Sequence, residues 1–144
     1  LAALHDVGKV GIPDRILNKP GKLTPDEWAI MKTHVEIGHR IASSSPDLAH
    51  IAEAILSHHE KWDGTGYPRQ LKGEEIPLIA RILTVVDAYD AIINDRPHSA
   101  ARSRTEALEE IQRCSNTHFD PELVDVFVRL MSEGRNGAVK QATG

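Results

Sequence analysis

The chain has 144 residues, 40% hydrophobic and 26% charged, with a formal net charge of −4, which suits one soluble domain with a real core and disfavours a polymeric nucleic-acid partner. Cys114 is the only cysteine, so an internal disulfide framework and a cysteine-rich zinc site are excluded and a reducing, cytoplasmic setting is expected. No run approaches the ~20 apolar residues of a membrane span, and no charged-then-apolar leader opens the chain.

Leu1-Ala2-Ala3-Leu4 reads as a helix already in progress, with an upstream segment expected. Gly8-Lys9-Val10-Gly11-Ile12-Pro13 stops that helix, so His5 and Asp6 are expected at its end. Thr24-Pro25-Asp26-Glu27 is a helix start, with Thr24 as N-cap, proline at the first helical position and Glu27 completing a capping box. One long helix should follow, with Trp28, Met31, Val35 and Ala42 on one apolar stripe and Ile30, His34, Ile37 and Ile41 on an adjoining one, which turns His34 inward.

Pro46-Asp47 opens the next helix, whose Leu48, Ile51, Ile55 and Leu56 lead into His58 and His59 before Asp63-Gly64-Thr65-Gly66-Tyr67-Pro68 ends it. Gly64 and Gly66 can take positive φ there, and the loop reads either as a rigid lip beside a pocket or as an ordinary turn. Pro77 starts a helix with Ile79, Ile82, Leu83 and Val86 inward and Asp87 one turn beyond Leu83 on the same side. Ser103-Arg104-Thr105-Glu106 and Asp120-Pro121-Glu122 start two more, and the segment 133–144 is expected to be a disordered tail after a single domain over 1–132. Period-two alternation is missing throughout, so the expected fold class is all-α.

His5, Asp6, His34, His58, His59 and Asp87 are thus imidazoles and carboxylates expected inside apolar surroundings, where ionisable groups demand partners. Divalent cations are such partners, and an oxygen and nitrogen donor set suits iron, manganese, nickel or zinc in a catalytic rather than structural role. Asp6 could bridge two metals, and two metals ~3.5–4 Å apart would support phosphoester hydrolysis. Lys9, one turn beyond His5, could neutralise charge growing on phosphate oxygens. Singly, each residue has a plain alternative: a helix cap, a hydrogen-bonded core histidine, a surface lysine, an acid bonded to a helix end.

Together, His5-Asp6-Val7-Gly8-Lys9-Val10-Gly11-Ile12-Pro13, Lys32-Thr33-His34, His58-His59-Glu60, Gly66-Tyr67-Pro68 and Val86-Asp87-Ala88-Tyr89-Asp90-Ala91 resemble the HD-GYP family of the HD superfamily of metal-dependent phosphohydrolases. The resemblance runs from Leu1 to about Leu130 and implies an HD-type helical bundle, here without its N-terminal helix or helices. It implies a cyclic di-GMP phosphodiesterase of bacterial signalling that yields pGpG or GMP. His5, Asp6, His34, His58, His59 and Asp87 become ligands to two divalent metals, three where the complete protein is trinuclear, with iron or manganese ahead of nickel or zinc. Lys9 and Asp6 become catalytic, and Asp90, Arg96, Gly66 and Tyr67 contact the dinucleotide. An upstream receiver or sensor domain, a GGDEF partner and a homodimer are further family traits.

Two departures stand out: His98 and Ser99 follow Arg96-Pro97 where the family shows a tyrosine and a basic residue, and the histidine-bearing helix before the HD pair is missing. They keep two other readings open. One is a non-hydrolysing cyclic dinucleotide receptor or protein-interaction module, and the other is an HD phosphohydrolase for another nucleotide.

Overall fold

The computed structural model describes residues 3–95 and 100–140, with side chains described through residue 133. Its elements are helices, and no β-strand occurs among the described residues, as the periodicity predicts. They gather into two compact units, Leu1–Leu83 and Thr84–Gly144, where composition favoured one.

The first unit opens with a 3-10 helix at Val7–Gly11 followed by a short helix α1 at Asp14–Leu17. Gly8-Lys9-Val10-Gly11, expected as a helix stop, is therefore itself a tight helical turn, with Lys9 N donating to Asp6 O and Ile12 N to Lys9 O. Helix α2 spans Pro25–Lys32 and begins as predicted: Thr24 Oγ1 accepts from Glu27 N, and the Glu27 carboxylate accepts from Thr24 N at 2.7 Å.

The single long helix expected after Thr24 is two helices, because α2 ends at Lys32 and α3 covers His34–Ser43. Thr33 makes the break: its amide and its hydroxyl both donate to Ile30 O, at 3.0 and 2.7 Å, and this local bonding competes with the regular ladder. His34 accordingly begins a helix instead of sitting inside one.

A 3-10 turn at Ala49–Ile51 leads into α4 at Ala52–Ser57, shorter than the helix expected from Pro46. Ala42, Ile51, Ala52 and Ile55 form one core cluster with Leu4 and Leu48 against it. Ala54, Ile76 and Ala80 form another with Leu71.

Helix α5, Leu78–Ile93, starts where predicted, but of the inward set expected there only Leu83 is buried. Ile79, Ile82 and Val86 are exposed, while Ala80, Leu83, Val85 and Tyr89 are buried. The helix is apolar on both sides, so period alone does not choose, and the small Ala80 permits the close packing on Ala54 and Ile76.

The second unit holds the rest of α5, α6 at Arg104–Arg113 and α7 at Pro121–Lys140. The Ser103 and Glu106 capping box forms as expected, and Val85, Ile111, Phe119 and Val124 make the core. Helix α7 runs to Lys140, past the point where an irregular tail was expected, because adding one bonded residue to a formed helix costs far less than nucleating one. No helix among the described residues is long and apolar enough to cross a membrane.

Candidate metal centre

The centre is assembled where three segments of the first unit cross, and Gly8 makes the crossing close. A Cβ on Gly8 would lie 1.8 Å from His34 O and 2.5 Å from Gly38 N, so only a glycine lets the 3-10 turn rest on the first turn of α3. That contact carries His5, Asp6 and Lys9 to His34. On the other side, α3 packs beside α4 through Ala42 and Ile55, both fully buried, and α4 delivers His58 and His59 at its end.

Asp6, His34, His58 and His59 each offer a ligand atom, and those atoms lie within 4.8 Å of one another. The Asp6 carboxylate is divided between its neighbours. Its Oδ1 lies 3.5 Å from His34 Nε2 and 3.8 Å from His58 Nε2, while its Oδ2 lies 3.5 Å from His5 Nε2 and accepts from Lys9 Nζ at 2.6 Å. His5 therefore stands beside the four-donor group, with its ring 5.1 Å from that of His58.

Two histidines have their tautomers set by the backbone. His34 Nδ1 bonds to Met31 O at 2.8 Å and His58 Nδ1 to Ile55 O at 2.7 Å. A carbonyl only accepts, so each Nδ1 carries the proton and each Nε2 presents a lone pair toward Asp6. His34 Nε2 is buried and has no hydrogen-bond partner, a costly arrangement in an apolar interior unless a cation takes the lone pair.

The electrostatics agree. Burial drives His58 down to about 4 and His59 to about 3, with neighbouring imidazoles adding to the shift, and burial lowers His34 as well. The rings are therefore neutral near pH 7, the form that binds metal. Burial pushes the Asp6 carboxyl up, but the Lys9 hydrogen bond and charge, with His5 and His34, outweigh it and hold Asp6 below its usual value. One anionic and several neutral nitrogen donors fit a divalent metal.

The loop after His59 closes one side. Tyr67 stacks on His59 with centroids 4.9 Å apart and planes at 21°, and burial followed by the Asp6 charge raises its phenol, which stays protonated. Gly66 adopts no positive φ; a Cβ there would lie 2.4 Å from Lys61 N and 2.5 Å from Glu60 Cα, so close approach is its reason, whereas Gly64 does take φ +84°.

Residue-by-residue reading of the sequence did not single out Glu60. It is 2% exposed, and its two oxygens accept the amides of Arg69 at 2.7 Å and Leu71 at 3.1 Å, which ties the returning loop to the histidine turn. A charged residue next to two candidate ligands was the available signal. Asp87 and Asp90 lie on α5 in the second unit, Asp87 half-buried and Asp90 exposed with Asn94 Nδ2 donating to it at 2.8 Å. Arg96 lies outside the described residues.

Residues 2–123 match the model of the HD domain family. The chain belongs to that family. The resemblance to the HD-GYP group drawn from the motifs is borne out by the relatives of this HD domain. It is 51% identical over 134 residues to a cyclic di-GMP phosphodiesterase of Thermotoga maritima, covering 92% of this chain and 36% of that protein. It is 50% identical over 136 residues to a cyclic di-GMP phosphodiesterase of Vibrio cholerae, covering 90% and 28%. Among solved structures, a cyclic GMP-AMP specific phosphodiesterase of V. cholerae superposes with a TM-score of 0.68 at 27% identity, covering 90% of this chain and 36% of that one. The HD domain spans about a third of the length of the relatives it matches.

Proposed function

We propose that this chain is the catalytic part of a metal-dependent phosphodiesterase that hydrolyses cyclic di-GMP. The observation that carries the reading is the Asp6 carboxylate, which turns one oxygen to His34 and His58 and the other to His5 and Lys9. Such a divided carboxylate suits a bridging ligand between two cations. Relatives at 50% identity or above that are named cyclic di-GMP phosphodiesterases support the substrate.

In this reading Asp6, His34, His58 and His59, with His5 beside them, would hold divalent cations, with iron or manganese as the metal, two ions as their number and Asp87 as a further ligand carried over from the family resemblance. When bound, the cations polarise the phosphodiester and lower the pKa of water to supply the nucleophile. The remaining work falls to the chain. His34 and His58 keep their lone pairs directed by donating Nδ1–H to the backbone. Lys9, held by Asp6, offsets negative charge on the phosphate oxygens as the bond breaks. Tyr67 keeps its proton and donates it in a hydrogen bond to the nucleotide, for which Asp90 and Arg96 are further contacts carried over from the family resemblance.

The test is full chain reconstituted anaerobically with iron or manganese, incubated with cyclic di-GMP and resolved by chromatography beside Lys9→Ala and Asp6→Ala. Turnover to pGpG or GMP that both variants lose is expected. Metal-loaded protein that binds cyclic di-GMP without turnover would replace this reading with a receptor. A second reading, cyclic GMP-AMP as preferred substrate, is favoured by the structural neighbour named for it, and the same assay with both dinucleotides decides between them.

A further inference from the structure

Trp28 is 47% exposed, although tryptophan is among the most buried side chains on average and a large aromatic left in water is the informative exception. It stands on α2, a helix with no buried residue. Its ring lies 6.3 Å from that of Tyr67 at 78°, and Tyr67 in turn stacks on His59. One turn along α2, Lys32 Nζ is 5.7 Å from the centre of the Tyr67 ring. A row of rings therefore runs outward from the donor group, His59 to Tyr67 to Trp28, with an ammonium beside it.

We propose that Trp28 is a stacking platform for a purine base of a nucleotide whose phosphodiester lies at the His59 end of this row, with Lys32 facing its phosphate oxygens. The proposal rests on the phosphodiesterase reading above and adds the base-binding subsite to it. Purines present broad faces that stack on an indole, and stacking of this kind needs no hydrogen-bond pattern from the protein. An ammonium close to the same rings adds attraction for the phosphates that flank the base. The competing role for Trp28 is a prop under the loop 63–68, and the two roles differ in what they move.

The chain has two tryptophans, so Trp62→Phe leaves Trp28 as the sole indole reporter. Metal-loaded full chain carrying Trp62→Phe is titrated with GMP, which has a base and no phosphodiester to cleave, and with ribose 5-phosphate, which lacks the base. Saturable quenching by GMP and none by ribose 5-phosphate is expected. In parallel, Trp28→Leu should raise KM for cyclic di-GMP at least about tenfold, equivalent to about 1.4 kcal/mol, with kcat and metal content little changed, and Trp28→Phe should restore most of the affinity. Absence of quenching overturns the platform, and so does a Trp28→Leu variant with unchanged KM or one that loses kcat and metal together as a loop prop would. Quenching by GMP in a protein that turns over no cyclic dinucleotide keeps the platform and removes the phosphodiesterase reading; normal turnover without quenching does the reverse.

Discussion

Lys9 donates from Nζ to Asp6 Oδ2 at 2.6 Å, while the other oxygen of the same carboxylate faces His34 at 3.5 Å. The lysine thus stabilises the anionic form of the group that also touches the imidazoles, and it is held ready beside them. Lys9→Met should let the Asp6 carboxyl rise from its lowered position yet leave the histidines in place. Metal content measured by elemental analysis should therefore stay near the parent value while kcat for cyclic di-GMP falls ~10²–10³-fold. Loss of metal in step with activity would assign Lys9 to assembly of the site instead.

Gly8 tests the crossing that brings Asp6 to His34. A methyl group there meets a backbone carbonyl at 1.8 Å, and neither backbone can yield as a flexible side chain would. Gly8→Ala should lower stability by about 3 kcal/mol or more and cost the protein its metal. A thermal melt within a degree or two of the parent would contradict the packing described.

Glu60→Gln replaces an acceptor oxygen with an NH₂ that confronts the amide of Arg69 or Leu71. Leaving one buried donor without its acceptor should cost about 1–3 kcal/mol. Because these bonds tether the loop that carries Tyr67, hydrogen exchange at residues 66–71 should accelerate well before global unfolding does. Protection equal to the parent's across that loop is the outcome that counts against the tether.

The metal-free protein should lose stability in mild acid. His58 and His59 are held near 4 and 3 when folded and take protons near 6.5 when unfolded. Between those values the unfolded chain binds more protons, so stability is full above about pH 6.5 and declines as pH falls toward 4. Chemical denaturation at several pH values in chelator checks this, and a flat profile from pH 7 to 5 contradicts neutral buried imidazoles. Metal at a hundredfold excess over Kd should raise the unfolding free energy by about 2.7 kcal/mol.

Much of the local structure was written in short stretches of chain. Thr24 with Glu27, Ser103 with Glu106 and the prolines at 25 and 121 announce helix starts through bonds made within four residues, so adjacent letters suffice. The series Asp6, His34, His58 and His59 pointed to metal chemistry only in combination, because each residue alone has an ordinary structural role open to it, and the fold gathers the four.

Other features depended on segments far apart in sequence meeting in space. Periodicity misjudged α5, since a helix apolar on two sides leaves its buried face to be chosen by partners such as Ala54 and Ile76. It missed the break at Thr33, where one hydroxyl bonded to Ile30 O outweighs a continuing pattern. The contact of Gly8 with the backbone of His34, the seating of Tyr67 on His59 and the two amides on Glu60 join residues whose types carry no record of their neighbours. The sequence by itself therefore determined the helical class, the capped helix starts at Thr24 and Ser103 and the candidate donor residues. The tertiary structure decided which oxygen of Asp6 meets which imidazole, because directional bonds and lone pairs acquire partners only when packing fixes distance and angle together.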